Sequence, residues 1–177
     1  MDTKPIIRIY TDGACKGNPG PGGFGVLVVF DGMDKMHEFA EQCEETTNNR
    51  EELKAIIKAL NIATAVLEEM PDVFGKIYIY SDSAYCVNMC NDWIWNWATN
   101  GWQNSKKKTV ENIDLVQSLY NYLNKDFFNC QVEIRKVKGH YDSWENEYAD
   151  ALATGDIKKK EEIIRAIDVR NIVNCKS

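Results

Sequence analysis

The chain has 177 residues, 44% of them hydrophobic, and a formal net charge of −6 at pH 7. That length suits one domain with a real core, and no stretch approaches the ~20 apolar residues that span a membrane. Met1–Pro5 has neither the basic nor the apolar region of a signal peptide, and the six scattered cysteines form no Cys-x-x-Cys pair. These features exclude a zinc ribbon and a thioredoxin centre and predict reduced thiols in a cytoplasmic protein.

The acidic balance argues against binding nucleic acid by charge alone. The charge is uneven, however. Residues 156–177 hold six basic and four acidic side chains, leaving the preceding 155 residues at net −8. If this body binds a polyanion, local patches, dipoles and bound cations must do it.

Ile6-Ile7-Arg8-Ile9-Tyr10 predicts a first strand with Asp12 at its end, and the Gly/Pro-rich stretch to Gly23 predicts a turn. A strand-terminal acid beside such a turn suits a metal or a phosphate, though a plain turn cap would look the same. Gly23–Phe30 predicts a second strand, Asp31-Gly32 a tight hairpin, and Lys35–Cys43 a third strand. Three strands on short turns make an antiparallel meander. His37 falls in the third and is given no role.

Thr46-Thr47-Asn48-Asn49-Arg50-Glu51-Glu52 predicts a helix start, with polar caps followed by first-turn acids. Leu53, Ile56, Ile57, Leu60 and Leu67 supply its inward stripe, Glu52 borders that stripe, and Pro71 ends the helix. Lys76–Tyr80 predicts a strand after the crossover, hence parallel to the first. It delivers Asp82 to the sheet edge that carries Asp12, where open α/β sheets place ligands.

A helix is expected to start at Ala84-Tyr85, with Cys86 and Cys90 buried. Trp93, Trp95, Trp97 and Trp102 read either as a small satellite core or as an aromatic platform, and Lys106–Lys108 as a solvated loop or a phosphate contact. Val110–Leu123 predicts a helix with Ile113, Val116, Leu119, Tyr120 and Leu123 inward, and Gln131–Val137 a last strand. Lys138–Trp144 reads as a loop with His140, and Trp144–Leu152 as a helix placing Asn146 and Asp150 on one face. Beyond Gly155 a tail follows, with a short amphipathic helix suggested by Ile157, Ile163, Ile164 and Ile167.

Asp12, Glu52, Asp82 and Asp150 come from two strand ends and two helices. Four acids at one point repel unless cations sit among them. Hard oxygen ligands select Mg²⁺ or Mn²⁺, and a pair of such ions ~4 Å apart suits displacement at phosphorus. There is neither a Walker-type loop nor a dinucleotide fingerprint.

Five blocks together resemble type 1 ribonuclease H: Tyr10–Gly23, Thr46–Leu53, Ser81–Tyr85, Trp93–Trp97, and Lys138-Gly139-His140 with Glu145–Asp150. The resemblance runs from about Ile6 to Ala153. It implies an α/β ribonuclease H-like fold: a five-stranded mixed sheet, an antiparallel three-strand meander plus two parallel strands, flanked by helices. It implies endonucleolytic cleavage of the RNA strand of RNA–DNA hybrids by two-metal-ion catalysis, leaving a 5′-phosphate and a 3′-hydroxyl. By motif position Asp12, Glu52, Asp82 and Asp150 are the catalytic, metal-binding acids. His140 assists proton transfer or product release. Asn18, Asn48 and Asn49, with the backbone near Cys15, line the groove where 2′-hydroxyls are read. Thr47 and Asn112 hold a DNA phosphate, Trp93 faces a DNA sugar, and Asn146 joins the substrate-binding set.

Two departures stand out. Trp97-Ala98-Thr99-Asn100-Gly101-Trp102 replaces a basic stretch that many members carry, and residues 156–177 have no aligned counterpart. The expected organisation is a catalytic domain over 1–155 and a tail of open role, in a monomer with two Mg²⁺ (or Mn²⁺), no small-molecule cofactor and no membrane. A non-catalytic hybrid-binding module would not need all four acids and His140. A transposase- or integrase-like nuclease would not need the asparagines and tryptophans. A reverse-transcriptase fragment fits poorly with a start at Met1.

Overall fold

The computed structural model describes residues 4–33, 35–127, 130–137 and 143–174. A single five-stranded sheet has the order β3-β2-β1-β4-β5. It consists of β1 (Ile6–Cys15), β2 (Gly20–Phe30), β3 (Met36–Thr46), β4 (Lys76–Ser81) and β5 (Gln131–Lys136). β1, β2 and β3 form the antiparallel meander, and β4 and β5 add in parallel. The expected sheet is the one observed.

Alternation along β1 sends its side chains to two cores. Ile7 and Ile9, with Val26, Val28, Ile77 and Ile79, face α1 (Asn48–Glu69) and its Leu53, Ile56 and Leu60. Tyr10 and Leu27 face the other way, toward Tyr148, Ala149 and Leu152 of α5 (Trp144–Thr154). Ile57 and Leu67, expected on the buried stripe of α1, are only partly buried, and Ala55, Ala59 and Ala63 line the interface instead.

The arms of the first hairpin are longer than the residues suggested. β1 runs three residues past Asp12, which pairs with Gly25, and Gly20–Gly23 belong to β2. Several glycines of this stretch serve close packing. A Cβ on Gly13 would overlap the backbone nitrogen of Glu52, and one on Gly25 would overlap the Ala149 carbonyl. Gly13, beside Asp12, thus admits α1, and Gly25, the cross-strand partner of Asp12, admits α5. The turn itself is confined to residues 16–19, with Gly17 at φ 89°.

After β4 the chain forms α2 (Ala84–Asn88), capped by Ser83, then a π-helical turn over Met89–Trp93, then α3 (Ile94–Thr99). Cys86 and Cys90 are buried there, as expected. The helix expected from Val110 begins instead at Ile113, as α4 (Ile113–Leu123), because Asn112 takes a left-handed backbone (φ 55°) that breaks the preceding segment from it. Among its expected inward residues Val116 and Leu119 are fully buried.

The tail forms α6 (Ile157–Asn174), longer than the short helix expected. Gly155, at φ 69°, terminates α5 and turns the chain back. Ile163 then packs into the Tyr10–Tyr148 core, flanked by Ile164 and Ile167. Ile157 is 68% exposed and takes no part. Among the described residues no helix is long and apolar enough to cross a membrane.

Candidate active site

The parallel β1–β4 register ends at Thr11 opposite Ser81, so Asp12, still on β1, and Asp82, the first residue past β4, come next. Glu52 reaches them from the first turns of α1. Thr47 caps that helix by accepting a hydrogen bond from the Arg50 N–H at 3.4 Å. Carboxylate oxygens of Asp12, Glu52 and Asp82 all lie within 4.8 Å of one another. Asp12 is 5% exposed and Glu52 3%.

Asp150 stands beside this trio. It faces Asp12 closely enough for its charge to raise the Asp12 carboxyl, but its Oδ2 is already held at 2.7 Å by the Lys159 ammonium of α6. Three of the four expected acids therefore form the tight cluster, and the fourth adjoins it with a counter-charge in place. Burial works against the Lys159 ammonium, yet the carboxylates of Asp150, Glu147 and Asp12 outweigh it and raise its pKa above the ordinary lysine value.

Burial is also the main reason why the Asp12 carboxyl is pushed far above the carboxylate range, and the charges of Glu52, Asp82 and Asp150 add to it. Glu52 is raised to about 8, first by burial and then by Asp82, against a lowering hydrogen bond from the Gly13 N–H. Its Oε2 is buried without a hydrogen-bond partner among the described residues. A desolvated carboxylate oxygen with no donor is costly, and a divalent cation would relieve that cost. Three hard oxygen donors without thiol or imidazole among them fit Mg²⁺ or Mn²⁺ better than zinc.

Asn18 (φ 32°) accepts a hydrogen bond from the Asn48 N–H at 2.9 Å, tying the hairpin turn to the start of α1. Asn48 and Asn49 are exposed. The Cys15 thiol donates to the Thr46 carbonyl at 3.2 Å. Asn112 accepts from the Arg50 guanidinium at 3.3 Å. Asn146 is 2% exposed, and its Oδ1 has no hydrogen-bond partner among the described residues. His140 lies outside the described residues.

Trp93 ends the π-helical turn, a feature frequent at functional sites. It packs on Tyr85 and Trp97 with ring centroids 5.5 and 6.0 Å apart, while Trp95 and Trp102 flank Tyr120. Trp93, Trp97 and Trp102 pack against the main core and form no separate satellite core, and Trp95 is 38% exposed. The Asn104 side chain accepts from the Lys106 and Lys108 N–H groups, so the lysine loop is built around one residue and its three lysines face solvent.

Sequence reasoning missed three residues. Glu51 is buried, with Thr46 Oγ1 and Lys54 Nζ each donating to it at 2.7 Å. Arg50 grips Asp114 with two bonds, of 3.0 and 2.7 Å, and joins α1 to α4. Lys159 reaches Asp150. The available signal for Lys159 was the lysine run just past Gly155: a chain reversed by a glycine cap brings such residues back along α5.

The RNase H family model matches residues 4–158. Ribonuclease H of Chlorobium chlorochromatii is 46% identical over 88% of this chain and 98% of its own length. That of Syntrophomonas wolfei is 45% identical over 86% and 96%. Among solved structures, LC9-RNase H1, described as a type 1 RNase H with the type 2 active-site motif, shares 31% identity at a TM-score of 0.66. It covers 86% of this chain and 72% of that one. RNase H1 of the archaeon Halobacterium salinarum shares 26% at 0.57, over 84% and 94%. With the sheet, the acidic cluster and these relatives in agreement, the chain belongs to the RNase H family and is a ribonuclease H of the type 1 form.

Proposed function

We propose that Asp12, Glu52, Asp82 and Asp150 hold two Mg²⁺ ions, with Mn²⁺ as a substitute, and that the enzyme uses them to cut the RNA strand of RNA–DNA hybrids to a 5′-phosphate and a 3′-hydroxyl. The observation that carries this reading is the unpartnered, buried Oε2 of Glu52 within a three-carboxylate cluster at the sheet edge. When bound, such ions supply an activated water and charge that steadies the leaving oxygen.

The chain's own residues do the rest. Asp12 and Asp82 are fixed by the strand register, and Glu52 by the close approach of α1 at Gly13. Asn18, Asn48 and Asn49, with the backbone at Cys15, line the groove in which 2′-hydroxyls distinguish RNA from DNA. The Asn18–Asn48 bond keeps that lining in one geometry. Thr47 and Asn112 hold a DNA phosphate. With the Asn112 carbonyl turned to Arg50, its amide nitrogen is the donor. Trp93 faces a DNA sugar, and Asn146 contributes a buried oxygen on the face that carries Asp150. His140 assists proton transfer or product release, an assignment supported by its motif position.

Residues 1–155 are assigned as the catalytic unit and 156–177 as a tail. All four acids come from one chain, which supports action as a monomer. Free Cys15, Cys43, Cys86, Cys90 and Cys130 support a reducing, cytoplasmic setting. The test is cleavage of labelled hybrids, of duplexes with a single ribonucleotide, and of duplex DNA, each in Mg²⁺ and in Mn²⁺. Several asparagines reading consecutive 2′-hydroxyls predict cutting only where ribonucleotides run in series. Efficient cutting at a lone ribonucleotide would overturn the groove assignment, and no cutting of hybrids with either ion would overturn the whole reading.

A further inference from the structure

Lys159 sits where a substrate-facing acid needs a counter-charge, and it comes from outside the motif blocks. Its placement is built. Gly155 reverses the chain, and the Asp156 carboxylate accepts the Lys159 N–H at 3.0 Å. Ile163 anchors the helix in the core shared by Tyr10 and Tyr148. The ammonium then lies 2.7 Å from Asp150 Oδ2, with the two side chains 36% and 33% exposed. One residue on, Lys160 makes a similar bond to Glu38 at 2.9 Å, away from the cluster.

We propose that Lys159 is a tethered counter-cation for Asp150 that competes with divalent-ion binding there, so that α6 sets the Mg²⁺ concentration at which Asp150 becomes a ligand. This rests on the reading of Asp150 as a metal ligand. An ammonium and a divalent ion cannot share one carboxylate oxygen at contact distance without repulsion. For an ion to take Oδ2 the lysine must swing away, and its partial exposure leaves room to do so. At low Mg²⁺ the lysine offsets the repulsion between Asp150 and Asp12. At high Mg²⁺ it is displaced.

The experiment follows Mg²⁺ binding by calorimetry and by melting temperature in the full chain, for wild type, Lys159→Gln, Lys159→Arg and Lys160→Gln. Lys159→Gln is expected to melt lower in chelator and to half-saturate at about two- to fivefold less Mg²⁺, the range that a partly exposed ion pair supplies. Lys159→Arg keeps a cation and is expected to stay near wild type. Lys160→Gln loses an ion pair of the same helix and is expected to leave Mg²⁺ affinity unchanged. Unchanged or weaker Mg²⁺ binding by Lys159→Gln overturns the proposal, as does an equal gain in Lys160→Gln, which would mean that helix docking and not the ammonium matters. Wild type that binds no Mg²⁺ in the same titration overturns the reading of the acids, and the proposal with it.

Discussion

Glu51 and Glu52 are consecutive residues of α1, both are buried, and their surroundings are opposite. Glu51 points toward β3, where Thr46 Oγ1 donates to it at 2.7 Å and the Cys43 thiol at 3.6 Å, while Lys54 Nζ donates at 2.7 Å from the next turn of α1. Glu52 points to the sheet edge, where Asp82 and Asp12 face it and its Oε2 has no hydrogen-bond partner among the described residues. The first carboxylate is a finished structural pair. The second is an unfinished one, brought to the cluster by the close approach of α1 to Gly13. The difference shows how one helix start serves fold and chemistry together: folding satisfies one acid and leaves its neighbour to be satisfied by a ligand.

The comparison is broken most severely by making the same acid-to-amide change at both positions. Glu52→Gln removes a hard ligand while keeping the shape. Cleavage of hybrid is expected to fall to background, and binding of hybrid in a gel-shift assay to persist. Without metal the variant is expected to be at least as stable as wild type, since one repelling charge has gone, and Mg²⁺ should raise its melting temperature less. A Glu52→Gln enzyme that still cuts hybrid at the wild-type rate would show that the orphaned oxygen has no part in catalysis.

Glu51→Gln is expected to do the reverse. It weakens two charge-assisted hydrogen bonds and leaves Lys54 without its partner. The expected cost is about 1–3 kcal/mol, or a melting temperature lower by about 2–12 °C for a chain of this size. Cleavage per folded molecule should be close to wild type. Loss of cleavage without loss of stability would mean that Glu51 belongs with the site, and the two sides of α1 would no longer be distinct.

The two glutamates also mark the limit of what the residues revealed. Acids in a first turn are expected on dipole grounds, and helical spacing put Glu52 beside the buried stripe, but spacing does not say which acid will find a partner. That depended on Thr46 and Cys43, brought in by the register of β3, with Lys54 adding one turn along α1. Asp12 and Asp82 were legible because a parallel crossover forces two strand ends to one edge. The extent of β1 was not, because glycines used for close packing look like turn residues until the helices they admit are in place. Asn112 carries the same lesson, since only its left-handed backbone shows why α4 starts at Ile113. Lys159 was the least visible, as its partner lies across a helix reversal whose geometry depends on Ile163 reaching a core built by β1, β2 and α5.

The smallest expected effect is a slope. With chelator present, the Glu52 carboxyl is raised from 4.5 to about 8, and Asp12 is raised as well, mainly by burial and then by its acidic neighbours. Both native groups therefore hold protons that the unfolded chain releases near pH 4. Their contribution to stability is full below that pH and is lost as pH rises through about 8. Glu38 and Asp114 are shifted the other way, so their contribution grows with pH, but only at the acidic end. The buried thiols Cys86 and Cys90 titrate above their ordinary value and matter only at the alkaline end. Between about pH 5.5 and 8.5 the acidic cluster dominates, and the melting temperature of wild type in chelator should fall steadily. Asp12→Asn removes one of the two shifted groups and a charge facing the other, so its decline should be shallower. Saturating Mg²⁺ should flatten the wild-type curve toward the same shape, because a cation bound only to the folded, ionised site adds stability as pH rises. Equal slopes for wild type and Asp12→Asn in chelator would mean that these acids do not share protons in the folded state, and that Glu52 is no less satisfied than Glu51.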